Sequence, residues 1–417
     1  MLDLKLLRRE PDQVRAALAR RGAAEAVDEL LQRDARRREV LPQLEGLRAK
    51  RNEASDAIGQ AKRSGEDASD AIAQMRQVGS QIKALETELA EVESALDAKL
   101  ATLPNLPDPT AADEDDVVKE WGEPRIGGRD HVDLLGWRLD METGARVAGS
   151  RFVYMKGELV LLEFALVRWA LELVGRKGFV PVTPPVLVRE EALFGTGFLP
   201  DTEQQIYSVP DDNLYLAGTS EVPLSYLHAG QILEEPQLPL RYAGFSTCFR
   251  REAGAAGKDT RGMFRVHQFD KVEMFTFVRP EDSAAEHDRL LAIEEEIFQA
   301  LDVPYRVVNI GVAELGNSAA KKYDVEAWLP GDAGGRYREV TSCSNTTDYQ
   351  ARRLDARYRP ADGKGTEHLH TLNGTAVAVG RTIISIVENH QQEDGSIAIP
   401  EVLHAYGAPP VIPPAAG

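Results

Sequence analysis

The sequence contains little cysteine and no long uninterrupted hydrophobic run. Its two cysteines, Cys248 and Cys343, are too few for a disulfide scaffold or a four-cysteine zinc site, and they suit a reducing cytoplasm. The most apolar stretch, residues 159–174, is broken by charged residues and is shorter than the roughly 20 apolar residues that span a bilayer. These absences predict a cytoplasmic protein without a membrane segment.

Basic charge is also in short supply. The chain carries 49 Lys and Arg against 67 Asp and Glu, for a net charge of −18. This balance argues against a uniformly basic nucleic-acid binder, although local basic surfaces remain compatible with it. The length of 417 residues and the hydrophobic content of 43% are ordinary for a globular protein with two or more domains.

Residues 1–103 contain two long segments with few turn residues. In the second segment, apolar residues from Ile72 to Leu100 recur at spacings of three or four, which is the heptad pattern. The first segment is less regular, and we expect Pro42 to kink it. Ser64-Gly65, between the segments, predicts a turn. The pattern therefore predicts an antiparallel helical coiled-coil hairpin with arms of about 36 residues, or roughly 54 Å at 1.5 Å per residue.

The sequence alone leaves two functions open for this hairpin. A spacer or dimerisation coiled coil is the simpler one, because charges on a coiled coil are usually solvated. An arm that grips RNA is the alternative, because a phosphate backbone would be met by the basic side chains of the distal first segment. These are Arg48, Lys50, Arg51, Lys62 and Arg63.

The rest of the chain has a different composition. Residues 104–118 are rich in proline and aspartate and are interpreted as a linker. In residues 119–417, stretches such as Phe269–Phe277 alternate as strands do, and apolar helical runs separate them. We predict an α+β domain built on an antiparallel β-sheet with packed helices. The proline-rich tail from Pro409 is expected to be disordered.

Two stretches of this domain suggest anion chemistry. The first, residues 249–273, is interpreted as a strand, a glycine-rich loop and a returning strand with arginines and carboxylates on common faces. Arginine suits bidentate contact with phosphate, although a salt-bridged hairpin would give the same pattern. The second, residues 373–389, predicts a strand that runs into a helix. It places Arg381 beside a helix N-terminus, which favours anions.

Taken together, these stretches resemble motifs 2 and 3 of class II aminoacyl-tRNA synthetases, and residues 178–185 are similar to motif 1, the dimer element. Within that class, the chain resembles the seryl-tRNA synthetases of bacterial type, of which the N-terminal hairpin is a hallmark. The identifying stretches are residues 219–224, 267–273, 338–345, 349–353 and 373–375.

This resemblance implies a class II catalytic domain that activates serine with ATP to seryl-adenylate. It then implies transfer of the seryl group to the 3′ end of tRNA(Ser), and of tRNA(Sec) as a second substrate. The implied cofactors are ATP and Mg²⁺, without zinc, and the implied assembly is a homodimer. We expect no zinc because the nearby histidines, His368 and His370, lack a completing ligand set.

The resemblance also implies a role for each matching residue. Arg250 and Arg381 are the catalytic arginines. The implied serine-binding residues are Thr219, Glu221, Arg250, Glu273, Asn373 and Thr375. The implied ATP-binding residues are Arg250, Glu252, Arg265, Phe269, Glu339, Ser342 and Arg381, with Glu339 and Ser342 as the magnesium ligands.

Other functions stay open at this stage. An amino-acid:carrier-protein ligase would resemble the catalytic half but lack the long hairpin. A duplicated synthetase that confers resistance to a serine-mimicking inhibitor would keep the same core chemistry. A non-catalytic paralogue is disfavoured, because it would be expected to lose Arg250, Glu339 or Arg381, and all three are present.

Overall fold

The computed structural model describes residues 1–65, 67–200, 205–254, 257, 259–332 and 334–415. The chain divides into two compact units, Leu2–Leu106 and Pro107–Gly417, with Met1 assigned to the second. Within the described residues, no helix combines the length and the apolar character that a membrane crossing requires.

The first unit is helical. Its main elements are helix α3, Ala26–Ser64, and helix α4, Ser69–Thr102, which pack along each other and are linked by ion pairs such as Arg36–Glu88 and Arg48–Glu86. Helix α3 ends at Ser64, and Gly65 has a φ of +78°, the left-handed conformation that commonly closes a helix. The predicted hairpin is therefore confirmed. The helices are α1 Leu4–Arg9, α2 Pro11–Ala19, α3 Ala26–Ser64 and α4 Ser69–Thr102.

Pro42 lies inside α3, which continues through it without a break. The kink expected there stays a prediction. Leu30, Val40 and Leu44 of α3 are buried, as are Leu96 and Leu100 of α4. The hairpin thus buries an apolar seam, together with the charged residue Asp34.

The second unit is built on an eight-stranded sheet in the order β1-β11-β12-β13-β16-β10-β9-β4. Its adjacent strands pair antiparallel except β4 and β9, which confirms the predicted antiparallel α+β architecture. These strands are β1 Asp116–Trp121, β4 Val180–Val182, β9 Leu240–Phe249, β10 Gln268–Val278, β11 Tyr305–Asn309, β12 Lys321–Leu329, β13 Arg336–Asn345 and β16 His370–Ala378.

Shorter strands form small sheets around this one. They are β2 Leu139–Asp140, β3 Tyr154–Met155, β5 Leu187–Val188, β6 Ser208–Val209, β7 Leu214–Leu216, β8 Ile232–Glu234, β14 Arg357–Arg359, β15 Glu367–His368, β17 Ile397–Ala398 and β18 Val411–Ile412. The helices are α5 His131–Leu135, α6 Met141–Ala148, α7 Glu158–Arg176, α8 Glu190–Thr196, α9 Glu221–Ser225, α10 Ser283–Ala300, α11 Tyr349–Leu354 and α12 Val379–Asn389.

Strand β10 shows how the sheet separates core from cleft. Successive side chains of a strand point to opposite faces. Val272 and Met274 accordingly join the apolar core that α7, α10 and α12 contribute to, whereas Lys271 and Glu273 face the other side. One face of the sheet therefore carries the main core, whereas the other carries polar residues at Lys271 and Glu273 and a second apolar cluster around Phe275 and Phe277.

Two boundary expectations need correction. Strand β1 begins at Asp116, so the last residues of the predicted linker 104–118 belong to the main sheet, where they pair with β11. The predicted disorder of the tail is wrong at Val411 and Ile412, because Ile412 is fully buried and both residues pair with β17. An apolar contact and a short strand ladder outweigh the proline-rich composition. Residues 416 and 417 lie outside the described residues.

Candidate active site

All the predicted site residues line one cleft of about 650 Å³ on the polar face of the sheet. Strand β10 supplies Phe269 and Glu273, and the segments that follow β9 and precede β10 supply Arg250, Glu252 and Arg265. The remaining predicted residues come from the start of α9, from β13, from β16 and from the first turn of α12. They are Thr219, Glu221, Glu339, Ser342, Asn373, Thr375 and Arg381. Residues 255, 256 and 258 of the glycine-rich loop lie outside the described residues.

A β-bulge in β13 brings the two predicted metal ligands to the same side. Residues three apart on a regular strand point to opposite faces. Thr341 pairs with Val325 and Glu339 with Glu326, so Val340 is the extra residue of a bulge. Glu339 and Ser342 both reach the cleft as a result.

Glu221 anchors one end of the cleft. Its Oε1 accepts hydrogen bonds from the side-chain amides of Gln350, at 2.7 Å, and Asn373, at 2.9 Å. Burial and the nearby charge of Glu273 raise the pKa of Glu221 to about 7, although the Gln350 hydrogen bond opposes the shift. Lys271 and Arg250 also favour the ionised form of Glu221, but among the described residues no cation forms an ion pair with it.

Glu273 lies beside it, with 2% of its surface exposed. Lys271 forms an ion pair with its Oε2, and the hydroxyl of Thr375 donates to the same oxygen across 3.3 Å. A bulge at Ala376 lies next to this pairing, because Val272 pairs with Val377 and Glu273 with Thr375. A carboxylate, an ammonium group and a hydroxyl thus meet at the floor of the cleft.

Arg250 crosses the middle of the cleft. Its Nε donates to the carbonyl oxygen of Gly218 across 3.1 Å, and its guanidinium lies 5.4 Å from the ring centroid of Phe269. These two contacts orient the terminal nitrogens of the guanidinium, and a guanidinium that binds an anion through two N–H groups needs such an orientation.

The outer end of the cleft is a network of alternating charges. Arg265 forms ion pairs with Glu252 and, at 3.5 Å, with Asp259. Arg338 in turn binds Asp259 at 2.8 Å. The salt-bridged hairpin that the sequence left open is therefore present, and it joins two predicted nucleotide ligands directly. Glu252 has a φ of +50°, a conformation that non-glycine residues adopt infrequently.

Arg381 lies in the first turn of α12, as the sequence predicted. Its side chain donates to the backbone oxygens of Phe264, at 3.3 Å, and Glu339, at 2.9 Å. Burial and the charges of Arg250 and other neighbouring arginines lower the pKa of Arg381 in spite of Glu339. A bound anion would therefore stabilise the charged form of Arg381.

Glu339 responds to the same field in the opposite direction. Burial opposes its ionisation, but Arg381, Lys322 and Arg250 together hold its pKa below the ordinary value. Its side chain is still 45% exposed, because the cleft is open there. Glu339 is therefore an ionised oxygen donor at the mouth of the cleft.

Sequence reasoning missed several residues of the site. Lys271 and Lys322 line the cleft, Gln350 binds Glu221, and the ring of Phe264 lies 3.8 Å from the Arg338 guanidinium carbon. Strand alternation gave a signal for Lys271, which is two residues from Phe269 and from Glu273. Gln350 gave no such signal, because only the packing of α11 brings it to Glu221.

The comparisons with known proteins agree with this geometry. Residues 206–390 match the family model of the tRNA synthetase class II core domain (G, H, P, S and T). The antiparallel sheet and its arginine-lined cleft are therefore those of a class II aminoacyl-tRNA synthetase. Residues 1–107 match the model of the seryl-tRNA synthetase N-terminal domain.

Full-length relatives narrow the class to one family. A serine--tRNA ligase from Novosphingobium aromaticivorans is 46% identical over 97% of both chains. The seryl-tRNA synthetase of Pyrococcus horikoshii, solved with ATP, is 42% identical over all of both chains with a TM-score of 0.93. The cytoplasmic enzyme of Naegleria fowleri, solved with AMP, is 34% identical over 100% and 99% of the chains, with a TM-score of 0.88. The chain belongs to the seryl-tRNA synthetase family, the serine--tRNA ligases of class II.

Proposed function

We propose that this chain activates serine with ATP and transfers it to tRNA(Ser), through the residues assembled in the cleft. The observation that carries the proposal is the convergence of paired carboxylates, a hydroxyl and two oriented arginines in a cavity of about 650 Å³. Such a set suits a zwitterionic amino acid at one end of the cleft and a nucleoside triphosphate at the other.

The carboxylate end accounts for amino-acid binding. The ammonium group of serine would lie between Glu221 and Glu273, where its positive charge would stabilise both carboxylates. The serine hydroxyl would meet Glu273 and Thr375, which already hydrogen-bond to each other across 3.3 Å. Alanine would not make the hydroxyl contacts that serine makes with these buried polar groups, so the pocket would favour serine over alanine. Asn373 and Thr219 complete the proposed pocket.

The arginine end accounts for nucleotide binding. Arg250 and Arg381 would contact the α-phosphate region, with Arg265 toward the γ-phosphate. Phe269 would stack on adenine, and Glu252 would accept from its exocyclic amine. Because Glu252 is paired with Arg265 in this structure, ATP would exchange that ion pair for contacts with base and phosphate.

The first reaction step needs positioning rather than a covalent enzyme intermediate. A carboxylate oxygen of serine attacks the α-phosphorus, and the bond to pyrophosphate breaks. The two reactants are both anionic, so the positive charge of Arg250 and Arg381 lowers the barrier. In the second step, a ribose hydroxyl at the tRNA 3′ end attacks the carbonyl carbon of the adenylate, and AMP leaves.

The donor set near Arg381 fits magnesium. A carboxylate and a hydroxyl, from Glu339 and Ser342, are hard oxygen ligands, and both face the cleft. Magnesium bound there would neutralise phosphate charge during the transfer. The ionised state of Glu339 supports this assignment, since Arg381 and its neighbours keep the pKa of the carboxyl low.

We also propose a homodimer. Leu161 and Phe164 of α7 are 53% and 64% exposed, and Val180 on the edge strand β4 is 56% exposed. Exposed apolar residues on a helix and on the edge strand of a sheet favour association. The mass in solution tests this: a dimer is expected, and Phe164→Asp should shift it toward the monomer. A monomeric wild-type protein would contradict the proposal.

The remaining partner proposals concern tRNA and location. The hairpin helices α3 and α4 would grip tRNA(Ser), and tRNA(Sec) would be a second substrate for the same arm. The carrier-protein ligase alternative is not favoured, because residues 1–107 match a tRNA synthetase N-terminal domain. A cytoplasmic location remains the expectation from composition.

The deciding experiment is ATP–pyrophosphate exchange with each of the twenty amino acids, followed by charging of tRNA(Ser) and tRNA(Sec). Exchange should require serine and should stop when magnesium is chelated. Faster exchange with threonine or alanine would contradict the substrate. Exchange without tRNA charging would contradict the second step and revive a carrier-protein acceptor.

A further inference from the structure

A buried pair outside the cleft, His131 and Glu388, connects α12 to the segment that carries the outer nucleotide residues. Glu388 is 1% exposed and His131 8%. One carboxylate oxygen of Glu388 accepts the backbone N–H of His131 and lies 3.0 Å from its Nδ1. The other accepts the N–H of Gly331, also at 3.0 Å. Glu388 is thus fully engaged, and it fixes both the backbone and the ring of His131.

The other ring nitrogen of His131, Nε2, contacts the returning segment of motif 2 at Met263. The backbone N–H of Met263 donates to Nε2 of His131 across 3.3 Å. An N–H donor at that position requires an unprotonated Nε2, so the ring is the tautomer with its proton on Nδ1, donated to Glu388. Gly262 fits closely here, since a Cβ on it would lie 2.0 Å from Nε2.

Helix α12 therefore contacts this segment at two points, one direct and one through His131. Arg381 reaches it directly, by donating to the carbonyl oxygen of Phe264. Glu388 reaches it through His131, one residue earlier along the segment. The two helix residues are seven positions apart, so they lie on the same side of α12, about 10 Å apart along its axis. Residues 263 and 264 are thereby held between two fixed anchors.

We propose that His131, with its neutral ring, is a positioning residue for ATP. It links the carboxylate of Glu388 to the backbone N–H of Met263. This inference rests on the proposed ATP site. The next residues along the chain are Phe264, whose ring lies 4.6 Å from the Arg381 guanidinium carbon, and Arg265. Loss of the His131 contact would let Arg265 drift from the nucleotide while Glu221 and Glu273, on other elements, keep the serine pocket intact.

Two substitutions separate this role from simple packing. His131→Asn keeps a donor near the Nδ1 position for Glu388 but has no acceptor for Met263. His131→Gln places a carbonyl oxygen near the Nε2 position, where it can accept that N–H. We expect His131→Asn to raise the KM for ATP by about tenfold and to change the KM for serine by less than about twofold. His131→Gln should restore most of the ATP affinity.

A matched control is His390→Asn. His390 follows α12 and donates from Nε2 to the carbonyl oxygen of Leu301 across 2.8 Å, away from the motif 2 segment. Its loss should lower the melting temperature without changing the KM for ATP. The proposal is overturned if His131→Asn has the wild-type KM for ATP, or if both His131 variants raise the KM for ATP and serine together.

Amide hydrogen exchange gives a second readout that does not need activity. In the ligand-free full chain, His131→Asn should speed exchange in the peptide that contains Met263, whereas His390→Asn should not. Unchanged protection of that peptide would overturn the proposal. If the wild type showed no serine-dependent ATP–pyrophosphate exchange, that result would instead contradict the proposed function. The two failures are therefore distinguishable.

Discussion

The side-chain amide of Asn373 donates to Oε1 of Glu221 across 2.9 Å, although 152 positions separate the two residues in the chain. Glu221 begins α9, and Asn373 lies in the middle of β16. Their contact joins two stretches that the sequence could identify only separately. It also holds Glu221 in a buried site, where its protonation state becomes sensitive to pH.

The first prediction concerns that sensitivity. Burial and Glu273 raise the pKa of Glu221 to about 7, so the carboxyl is protonated below that pH and ionised above it. Only the ionised form attracts the ammonium group of serine. The kcat/KM for serine should therefore fall by about tenfold per pH unit below about pH 7. The pH profile of exchange measures this.

Glu221→Gln provides the comparison, because it keeps an acceptor for Gln350 and Asn373 but cannot ionise. Its kcat/KM for serine should be low at all pH values, without the fall near pH 7. Shifted carboxyl groups titrate between about pH 5 and about pH 8. If the kcat/KM of the wild type for serine stayed level across that range, this role of Glu221 would be ruled out.

The two cleft arginines supply the second prediction. Arg250→Ala or Arg381→Ala should slow adenylate formation by at least about a hundredfold, since a contact to developing charge is typically worth about 3 kcal/mol. Pyrophosphate exchange at saturating serine measures the loss. Arg359→Ala, at a side chain that is 52% exposed, is the control and should be unaffected. Near-normal exchange in either cleft variant would remove that arginine from the catalytic set.

Thr375 gives a test of serine recognition. Its hydroxyl donates to Glu273, so Thr375→Val should leave that carboxylate with Lys271 as its remaining partner, remove a hydroxyl contact for the substrate and raise the KM for serine by about tenfold. Thr375→Ser keeps the hydroxyl and should stay close to wild type. The KM for ATP serves as the internal control. If the Val variant still preferred serine over alanine as strongly as wild type, discrimination would have to come from other groups.

The hairpin is tested by removal. Replacing residues 28–101 with a short linker should leave serine-dependent exchange largely intact, because every predicted catalytic residue lies in the other unit. Charging of tRNA(Ser) should be lost, since each arm spans roughly 54 Å and provides the proposed RNA contacts. A truncated enzyme that charged tRNA as well as the full chain would make the hairpin a spacer.

The sequence by itself determined the elements with strong periodicity. The heptad spacing from Ile72 to Leu100 predicted α4, and the alternation around Phe269 predicted β10, because one buried face imposes one period. It also placed Arg381 at the start of α12, where a strand pattern changes to a helix pattern. The chemical character of the cleft followed from residue types at fixed spacings.

Only the tertiary structure decided how those groups meet. The bulges at Val340 and Ala376 each add one residue to a strand, and no local composition marks them. Partners such as Gln350 for Glu221 and His131 for Met263 come from distant segments, so their pairing depends on packing. The same holds for Ile412, whose burial orders a tail that its prolines would leave free. Local pattern sets an element's type, whereas contacts between distant elements set its partners.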